Sequence, residues 1–247
     1  MKPLPVLEPI SWLYGCGVVM RNVLYDRGFL HAEHVEVPVL SVGNITTGGT
    51  GKTPVVESIA KTFLKHGVRP AVVSRGYKRR TRGLVEVSDG AVVKTTAAEC
   101  GDEPFLLATR IPRTVVVVDE QRVRGARYAA QKLGAQVMIL DDGFQHRALY
   151  RNLNIVLIDA SHPPFGMSML PAGHRREPLR SLKRADVILL TKVTPASDSE
   201  AIKKRTEKYS AARFFTSSYS VASFRRAKTG FSLDLSGVKG KNAIAFC

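Results

Sequence analysis

Short runs of apolar, mostly β-branched residues recur along most of the chain, and charged residues or glycines bound most of them. Continuous apolar runs of this length are typical of strands that are buried on both faces, as in a parallel sheet. The pattern therefore predicts a set of buried parallel strands. They are expected at residues 37–42, 70–73, 114–118, 137–140, 154–158 and 187–190.

Between several of these runs the apolar residues recur every three or four positions, which is the spacing of one face of a helix. Helices are predicted after residue 53, over 121–133 with Gly134 at the end, and over 199–211 with Asp198 as the N-cap.

The alternation of strands and helices predicts an α/β fold with a doubly wound, mostly parallel sheet. Residues 84–87 and 91–94 add a hairpin between two units. We divide the chain into an N-terminal helix (1–30), a core (31–220), and a linker with the first strand of a C-terminal subdomain (221–247). Because the chain stops inside an apolar run, our hypothesis is a truncated form of a longer protein.

The N-terminal segment is uncharged and apolar over residues 10–20, which is too short to span a bilayer. Its apolar residues recur mostly at helical spacing. One interpretation is an amphipathic helix in the membrane interface, with Trp12 and Tyr14 at headgroup level. The other is a core helix that packs on the domain.

The charge balance is unusual, with 37 basic and 21 acidic residues and a net charge of +16. A protein this basic is expected to bind a polyanion. The candidates are nucleic acid, an anionic membrane surface and a phosphorylated substrate. The three cysteines, Cys16, Cys100 and Cys247, are widely separated. They support neither a disulfide framework nor a zinc site, and a reducing compartment fits best.

Residues 46–53 form a glycine-rich stretch between a predicted strand and a predicted helix, which is the setting of a phosphate-binding P-loop. Lys52 would reach the β- and γ-phosphates, and the Thr53 hydroxyl would ligate Mg²⁺. Thr46 replaces the first glycine of the generic pattern. The alternative is a glycine-rich turn with a chance lysine. The predicted nucleotide-binding residues are Thr46, Thr47, Gly48, Gly49, Thr50, Gly51, Lys52 and Thr53.

Carboxylates follow two predicted strands, at the edge of the sheet where α/β sites form. Asp141 and Asp142 end one strand, with Gln145 and His146 close behind, and Asp159 ends another. We favour the first pair as the site that organises Mg²⁺. Asp159 is interpreted as a turn residue, and His146 as a residue that orients the loop.

Asp102 precedes a predicted helix at 103–110, where it is either an N-cap or a general base. Two basic clusters, 74–82 and 170–180, follow predicted strands and favour anion binding, although solvated charge is the usual explanation. Arg175 or Arg176 could hold a phosphate, and Glu177 could join the metal shell. Tyr77 and its neighbouring arginines could instead stack on single-stranded RNA, but no RNA-binding signature accompanies them.

Several of these segments, together and in this order, resemble the tetraacyldisaccharide 4′-kinase family, the lipid A 4′-kinases of outer-membrane biogenesis. The resemblance runs from near the N-terminus to Cys247, and Thr46 agrees with the form of the family's P-loop. The segments are Gly43-Asn44 with Gly48-Gly49-Thr50-Gly51-Lys52-Thr53-Pro54, Ser74-Arg75-Gly76-Tyr77, Gly101-Asp102-Glu103-Pro104, Asp141-Asp142-Gly143-Phe144-Gln145-His146, and Leu170-Pro171-Ala172-Gly173 with Arg176-Glu177-Pro178-Leu179.

The resemblance implies transfer of the ATP γ-phosphoryl group, with Mg²⁺, to the 4′-hydroxyl of a tetraacylated glucosamine disaccharide 1-phosphate. It also implies a peripheral or monotopic protein on the cytoplasmic face of the inner membrane, with an anionic membrane surface and no nucleic acid as partner. At positions that match the family's motifs, the resemblance implies three roles. The catalytic residues would be Lys52, Asp102 and Asp141, and the metal ligands would be Thr53, Asp142, Gln145 and Glu177. Tyr77 and Arg176 would contact the sugar substrate.

Members of this family continue into a smaller C-terminal domain, which supplies a histidine that pairs with the aspartate base. Without it we expect weak or no kinase activity, with nucleotide binding retained. Two other functions stay open from the residues alone. One is another P-loop NTPase, since residues 191–194 faintly resemble a guanine-reading loop that lacks its aspartate. The other is a basic membrane- or RNA-binding module without catalysis.

Overall fold

The structure is a computed structural model and describes residues 5–220, 224–225 and 232–233. The chain divides into two compact units, 1–217 and 218–247. The strands of the first unit are β1 (Val39–Asn44), β2 (Pro70–Ser74), β3 (Val85–Asp89), β4 (Val115–Val118), β5 (Val137–Asp141), β6 (Leu153–Asp159), β7 (Val187–Thr191) and β8 (Arg213–Thr216).

Six α-helices accompany these strands, and 3₁₀ turns lie at Pro5–Leu7 and Leu179–Arg184. In the second unit β9 (Phe224–Arg225) and β10 (Ser232–Leu233) pair antiparallel. The strand predicted at the chain end lies outside the described residues, as does most of the predicted segment 221–247. The helices are α1 (Glu8–Asp26), α2 (Lys52–Lys65), α3 (Ala97–Cys100), α4 (Asp102–Arg110), α5 (Arg122–Gln131) and α6 (Ser199–Glu207).

The sheet has eight strands in the order β3-β4-β2-β5-β1-β6-β7-β8. All neighbours are parallel except β3 and β4, which are antiparallel. The six predicted strands are confirmed, and their observed bounds differ by no more than two residues. The predicted fold class, an α/β doubly wound and mostly parallel sheet, is confirmed as well.

Both faces of the sheet are covered, which explains why its strands are apolar without alternation. On one face Val72, Val116 and Ile139 pack with residues of α2 and α4. On the other face Val73 and Val117, among others, pack with residues of α5. Neighbouring residues of one strand therefore point into different cores.

The chain reverses its winding direction at β1, which lies between β5 and β6. Strands β2 to β5 lie on one side of β1, and strands β6 to β8 lie on the other. In open α/β sheets a ligand site forms at this switch point, beyond the carboxyl ends of the strands. The loop from β1 to α2, which carries residues 46–51, begins there.

Several elements differ from the sequence prediction. Residues 85–89 form the antiparallel edge strand β3, but the second arm of the predicted hairpin reduces to one bridge, between Ser88 and Val93. Helix α6 ends at Glu207, before the predicted position, although Asp198 caps it as predicted, with Oδ1 2.9 Å from the amide nitrogen of Ala201. Strand β8 was not predicted, because its sequence is short and partly exposed.

Candidate active site

The P-loop lies between the end of β1 and the first residue of α2, Lys52. Gly48 and Gly51 have positive φ values of 103° and 82°, which side-chain-bearing residues rarely adopt. A Cβ atom added at Gly48 or at Gly49 would meet nothing within 4 Å, so the loop surrounds open space. This is the strand, glycine-rich turn and helix N-terminus expected of an anion cradle.

The shape of the P-loop is held by hydrogen bonds to buried Thr50. Asn44 Nδ2 donates to Thr50 Oγ1 at 2.9 Å, and Thr191 Oγ1, from the end of β7, donates to the Thr50 carbonyl at 2.8 Å. Gln145 Nε2 donates to the carbonyl of Asn44 at 2.7 Å. The sequence analysis considered Thr191 only as part of a possible guanine-reading loop and missed its contact with the P-loop, because only the sheet order brings β7 to this loop.

Asp142 is the electrostatic centre of the site. Lys52 Nζ lies 3.4 Å from its Oδ1, and Arg176 Nη1 donates to its Oδ2 at 2.8 Å. Burial raises the pKa of Asp142, but Lys52 and Arg176 outweigh it and hold the pKa below its usual value. Asp142 also has φ +51°, a left-handed conformation that is uncommon for residues other than glycine and recurs at functional sites.

The pKa of Asp141 is shifted in the opposite direction from that of Asp142. It is almost fully buried at the end of β5, where Ser74 Oγ donates to its Oδ2 at 3.3 Å. Burial, and then the nearby charges of Glu103 and Asp142, raise the pKa of Asp141 to about 6. Two neighbouring carboxylates therefore have pKa values shifted in opposite directions.

Asp102 is the first residue of α4 and is exposed. The N-cap is Gly101, and no side-chain hydrogen bond caps the helix, so the N-cap interpretation of Asp102 is wrong. A Cβ on Gly101 would come within 3.0 Å of the Tyr77 carbonyl, so the backbone at Tyr77 lies directly against the start of α4. The Tyr77 ring is exposed, and Lys78 Nζ lies 5.4 Å from its centre.

Arg122 is a candidate site residue that the sequence reasoning missed. It opens α5 just after β4 and is buried. Burial and then the charge of Arg75 lower the pKa of Arg122, while the charges of Asp142 and Asp141 oppose that shift. Its position after the carboxyl end of a predicted strand was the available signal.

Glu177 lies in a buried ion cluster, with none of its side chain exposed. Its Oε1 is 3.3 Å from Arg21 Nη2, and its Oε2 accepts from Asn22 Nδ2 at 3.0 Å and from Arg184 Nη2 at 2.7 Å. The cluster joins α1 and the Leu179–Arg184 turn to the loop before that turn. Because both oxygens are occupied, the arrangement favours a structural role for Glu177 over the predicted metal ligation.

Asp159 lies in a turn, as the sequence predicted, and the loop-orienting role of His146 stays a prediction. Burial, and then the charge of nearby Arg122, lower the pKa of His146 to about 4. Asp159 accepts from the Ser161 amide at 2.9 Å in a turn and pairs with Lys192 at 2.6 Å.

The residues near Asp142 fit Mg²⁺. Their donors are oxygens, which this hard cation prefers, and Asp142 Oδ1 is buried without a hydrogen-bond donor of good geometry. Within the described part of the chain, no three His, Cys, Asp or Glu side chains form a ready-made metal cluster. Few protein ligands are usual for Mg²⁺, which keeps several waters and binds substrate phosphates.

A cleft of about 400 Å³ opens at the carboxyl ends of β6 and β7. Ser161, Lys192 and Thr194 contribute its polar lining. Phe165 contributes an aromatic wall, with the Arg205 guanidinium 4.3 Å from the ring centre. The size and mixed lining suit part of a small molecule.

Helix α1 packs on the core through one side and leaves large apolar side chains exposed on another. Ser11 and Val18 are buried, whereas Trp12 and Leu13 are 74% and 75% exposed. Over the part of the chain that the structure describes, α1 and every other helix fall short of the length and apolarity that crossing a membrane requires. An exposed apolar face of this kind marks an interaction surface.

Comparisons with known proteins agree with this architecture. The family model for tetraacyldisaccharide-1-P 4′-kinase, LpxK, matches residues 4–247. A tetraacyldisaccharide 4′-kinase of Chlorobaculum tepidum is 47% identical over 200 residues, which are 80% of this chain and 57% of that protein. A tetraacyldisaccharide 4′-kinase of Desulfotalea psychrophila is 44% identical over 195 residues, which are 78% of this chain and 56% of that protein.

A crystal structure of LpxK from Aquifex aeolicus, in complex with ATP, superposes with a TM-score of 0.75 and 40% identity. The match covers 86% of this chain and 64% of that one. The chain therefore spans little more than half the length of the curated relatives it matches. The fold is that of the P-loop kinases, and the chain belongs to the tetraacyldisaccharide-1-P 4′-kinase family.

Proposed function

We propose that this chain binds ATP with Mg²⁺ and transfers the γ-phosphoryl group to the 4′-hydroxyl of a tetraacylated glucosamine disaccharide 1-phosphate. The observation that carries the proposal is the approach of Lys52 to Asp142, 3.4 Å apart, beside an open P-loop at the switch point of the sheet. Membership of the kinase family and the ATP complex of the Aquifex aeolicus relative support the choice of nucleotide.

The P-loop is proposed to bind the triphosphate. Amides of residues 46–51 and the N-terminus of α2 supply donors for phosphate oxygens, and Lys52 supplies a positive charge. The cleft beside Thr191, lined by Lys192 and Phe165, is the proposed location of the nucleoside.

Thr53 and Asp142 are the proposed metal-binding residues, with the side-chain oxygen of Gln145 nearby. Mg²⁺ held there would neutralise negative charge on the phosphates. Asp141, buried behind Asp142, is proposed to tune the charge of this site. Arg122 and Arg176 add positive charge where the transferred group would pass.

Asp102 is the proposed general base. Its carboxylate would accept the proton of the 4′-hydroxyl as the hydroxyl oxygen forms a bond to the γ-phosphorus, and the bond to the β–γ bridging oxygen breaks to release ADP. Its exposed position at the start of α4 leaves it open to a substrate. Tyr77 and Arg176 are the proposed contacts to the disaccharide.

The apolar face of α1 is proposed to lie in the membrane interface, where a tetraacylated substrate resides. A net charge of +16 favours an anionic surface. We propose a peripheral or monotopic attachment on the cytoplasmic face of the inner membrane.

The test is transfer of labelled phosphate from ATP to the lipid A precursor in mixed micelles, with GTP as a competing nucleotide. We expect weak incorporation from ATP, which falls by a further factor of about 10² to 10³ in Lys52→Ala. ATP binding is measured in parallel on the same protein. Incorporation that persists in Lys52→Ala, or equal use of GTP, would refute the mechanism.

A further inference from the structure

Residues 168–177 form a bridging segment that contacts α1 along one side. Ser11, buried in this contact, accepts through its hydroxyl oxygen from the amide of Ala172 at 2.9 Å. Tyr14, one helical turn later, donates through its hydroxyl to the carbonyl of Arg176 at 3.0 Å. The bridging segment is therefore attached to α1 through its own backbone.

The other side of the bridging segment pairs with the start of the P-loop. The Thr47 amide donates to the His174 carbonyl at 2.7 Å, and the Arg176 amide donates to the Ile45 carbonyl at 2.8 Å. Thr47 Oγ1 also lies 3.0 Å from His174 Nδ1. These contacts form a short antiparallel ladder between residues 45–47 and 174–176.

Arg176 is the residue where the two sides meet. Its carbonyl accepts from Tyr14 of α1, its amide donates to Ile45 ahead of the P-loop, and its guanidinium holds Asp142. All three contacts originate from one residue, so a shift of its backbone moves the guanidinium and the ladder together. The hydroxyl of Tyr14 is the link that comes from α1.

We propose that Tyr14 is a positioning residue for the nucleotide site, acting through Arg176 on Asp142 and on the start of the P-loop. The inference deepens the proposed function, on which its consequence for ATP binding rests. The hydroxyl fixes the Arg176 carbonyl, and the ladder and the Arg176–Asp142 ion pair then hold one arrangement. Without the hydroxyl, water can satisfy this accessible carbonyl, so the fold survives while the alignment loosens.

The effect of losing the hydroxyl is expected to be modest and measurable. The loss of one hydrogen bond of this kind changes an equilibrium constant by roughly threefold to tenfold. Tyr14→Phe keeps the ring, and with it the apolar surface of α1. Tyr25→Phe is a matched control on the same helix, because the Tyr25 hydroxyl makes no hydrogen bond within the described residues, while its ring keeps its contact with the Arg147 guanidinium.

The first measurement is hydrogen exchange of the 247-residue chain without nucleotide. We expect the amides of Thr47 and Arg176 to exchange about threefold to tenfold faster in Tyr14→Phe. Tyr25→Phe should match the wild type. Unchanged exchange at both amides in Tyr14→Phe would overturn the inference, whatever the protein does with ATP.

The second measurement is the equilibrium binding of a fluorescent ATP analogue with Mg²⁺. Tyr14→Phe should weaken binding by roughly threefold to tenfold in the wild-type background and by a smaller factor in Arg176→Ala, because that variant lacks the guanidinium that holds Asp142 but keeps the backbone ladder. Fully additive losses would overturn the route through Arg176. If the wild type itself binds no analogue, the proposed function fails, and the exchange experiment still decides the inference.

Discussion

The ammonium group of Lys52 lies 3.4 Å from Oδ1 of Asp142, which links the first turn of α2 to the end of β5. Arg176 holds the other carboxylate oxygen at 2.8 Å. About a third of the Asp142 side chain is accessible, so these ion pairs contribute little to stability. Their importance lies in placing one carboxylate between two cations beside the P-loop.

Asp142→Asn should remove the negative charge while retaining the backbone, because Asn tolerates the left-handed conformation of this position. We expect the free energy of unfolding to change by less than about 1 kcal/mol, while the Mg²⁺ dependence of ATP-analogue binding is largely lost. A magnesium titration of binding measures this. A titration curve identical to that of the wild type would exclude Asp142 as the metal-binding residue.

Asp141 should make stability depend on pH. Because its pKa is raised from 3.8 to about 6 on folding, the folded state binds more protons between these values, and the free energy of unfolding falls as pH rises through this window. The change is on the order of 3 kcal/mol.

Urea unfolding at pH 4, 5, 6 and 7 measures this, with Asp141→Asn as the matched variant. The variant should lose stability less steeply than the wild type from pH 4 to 6, and the two slopes should agree above pH 7. Parallel curves from pH 4 to 6 would show that Asp141 ionises normally.

Glu177→Ala separates the structural role from the predicted metal ligation. Removing this buried carboxylate leaves Arg21 and Arg184 without their counter-charge, and we expect a loss of roughly 3–5 kcal/mol in the free energy of unfolding. Chemical denaturation measures the loss. A variant as stable as the wild type, with impaired magnesium dependence, would instead support metal ligation.

Trp12→Ala together with Leu13→Ala should reduce membrane binding without affecting the fold, because both side chains are mostly exposed. Each apolar side chain contributes about 1.5–3 kcal/mol when it is buried, so the partition coefficient should fall at least tenfold. Flotation with anionic vesicles measures the change. Phe215→Ala, at an exposed position on β8, is the control, and equal losses in both proteins would argue against a specific role for α1.

Much of the fold could be predicted because its signals are local. A strand buried on both faces is apolar along its length, and Val115–Val118 and residues 137–140 of β5 follow that rule. A glycine-rich turn before a helix is equally local, and Gly48 and Gly51 adopt the positive φ values that their residue type suggests. Asp198 caps α6 for the same reason, since its partner Ala201 is three residues away.

Sequence-based predictions were wrong or incomplete where one residue type fits two different roles. Asp102 stands at a helix start and matches a cap in composition, yet Gly101 occupies that position and leaves the carboxylate exposed. Gln145 follows the paired carboxylates, and its amide nitrogen binds the carbonyl of Asn44. In each case the choice depends on a backbone path that the residue type does not specify.

The sequence by itself determined which segments form buried strands, where the phosphate-binding loop lies, and which family the residues resemble. Tertiary structure alone decided that Glu177 pairs with Arg21, 156 positions away, and that Thr191 holds Thr50. The physical reason is the separation along the chain over which each kind of interaction acts. Backbone propensity and burial act on neighbouring residues, whereas ion pairs and hydrogen bonds between distant segments exist only after the sheet order has brought those segments together.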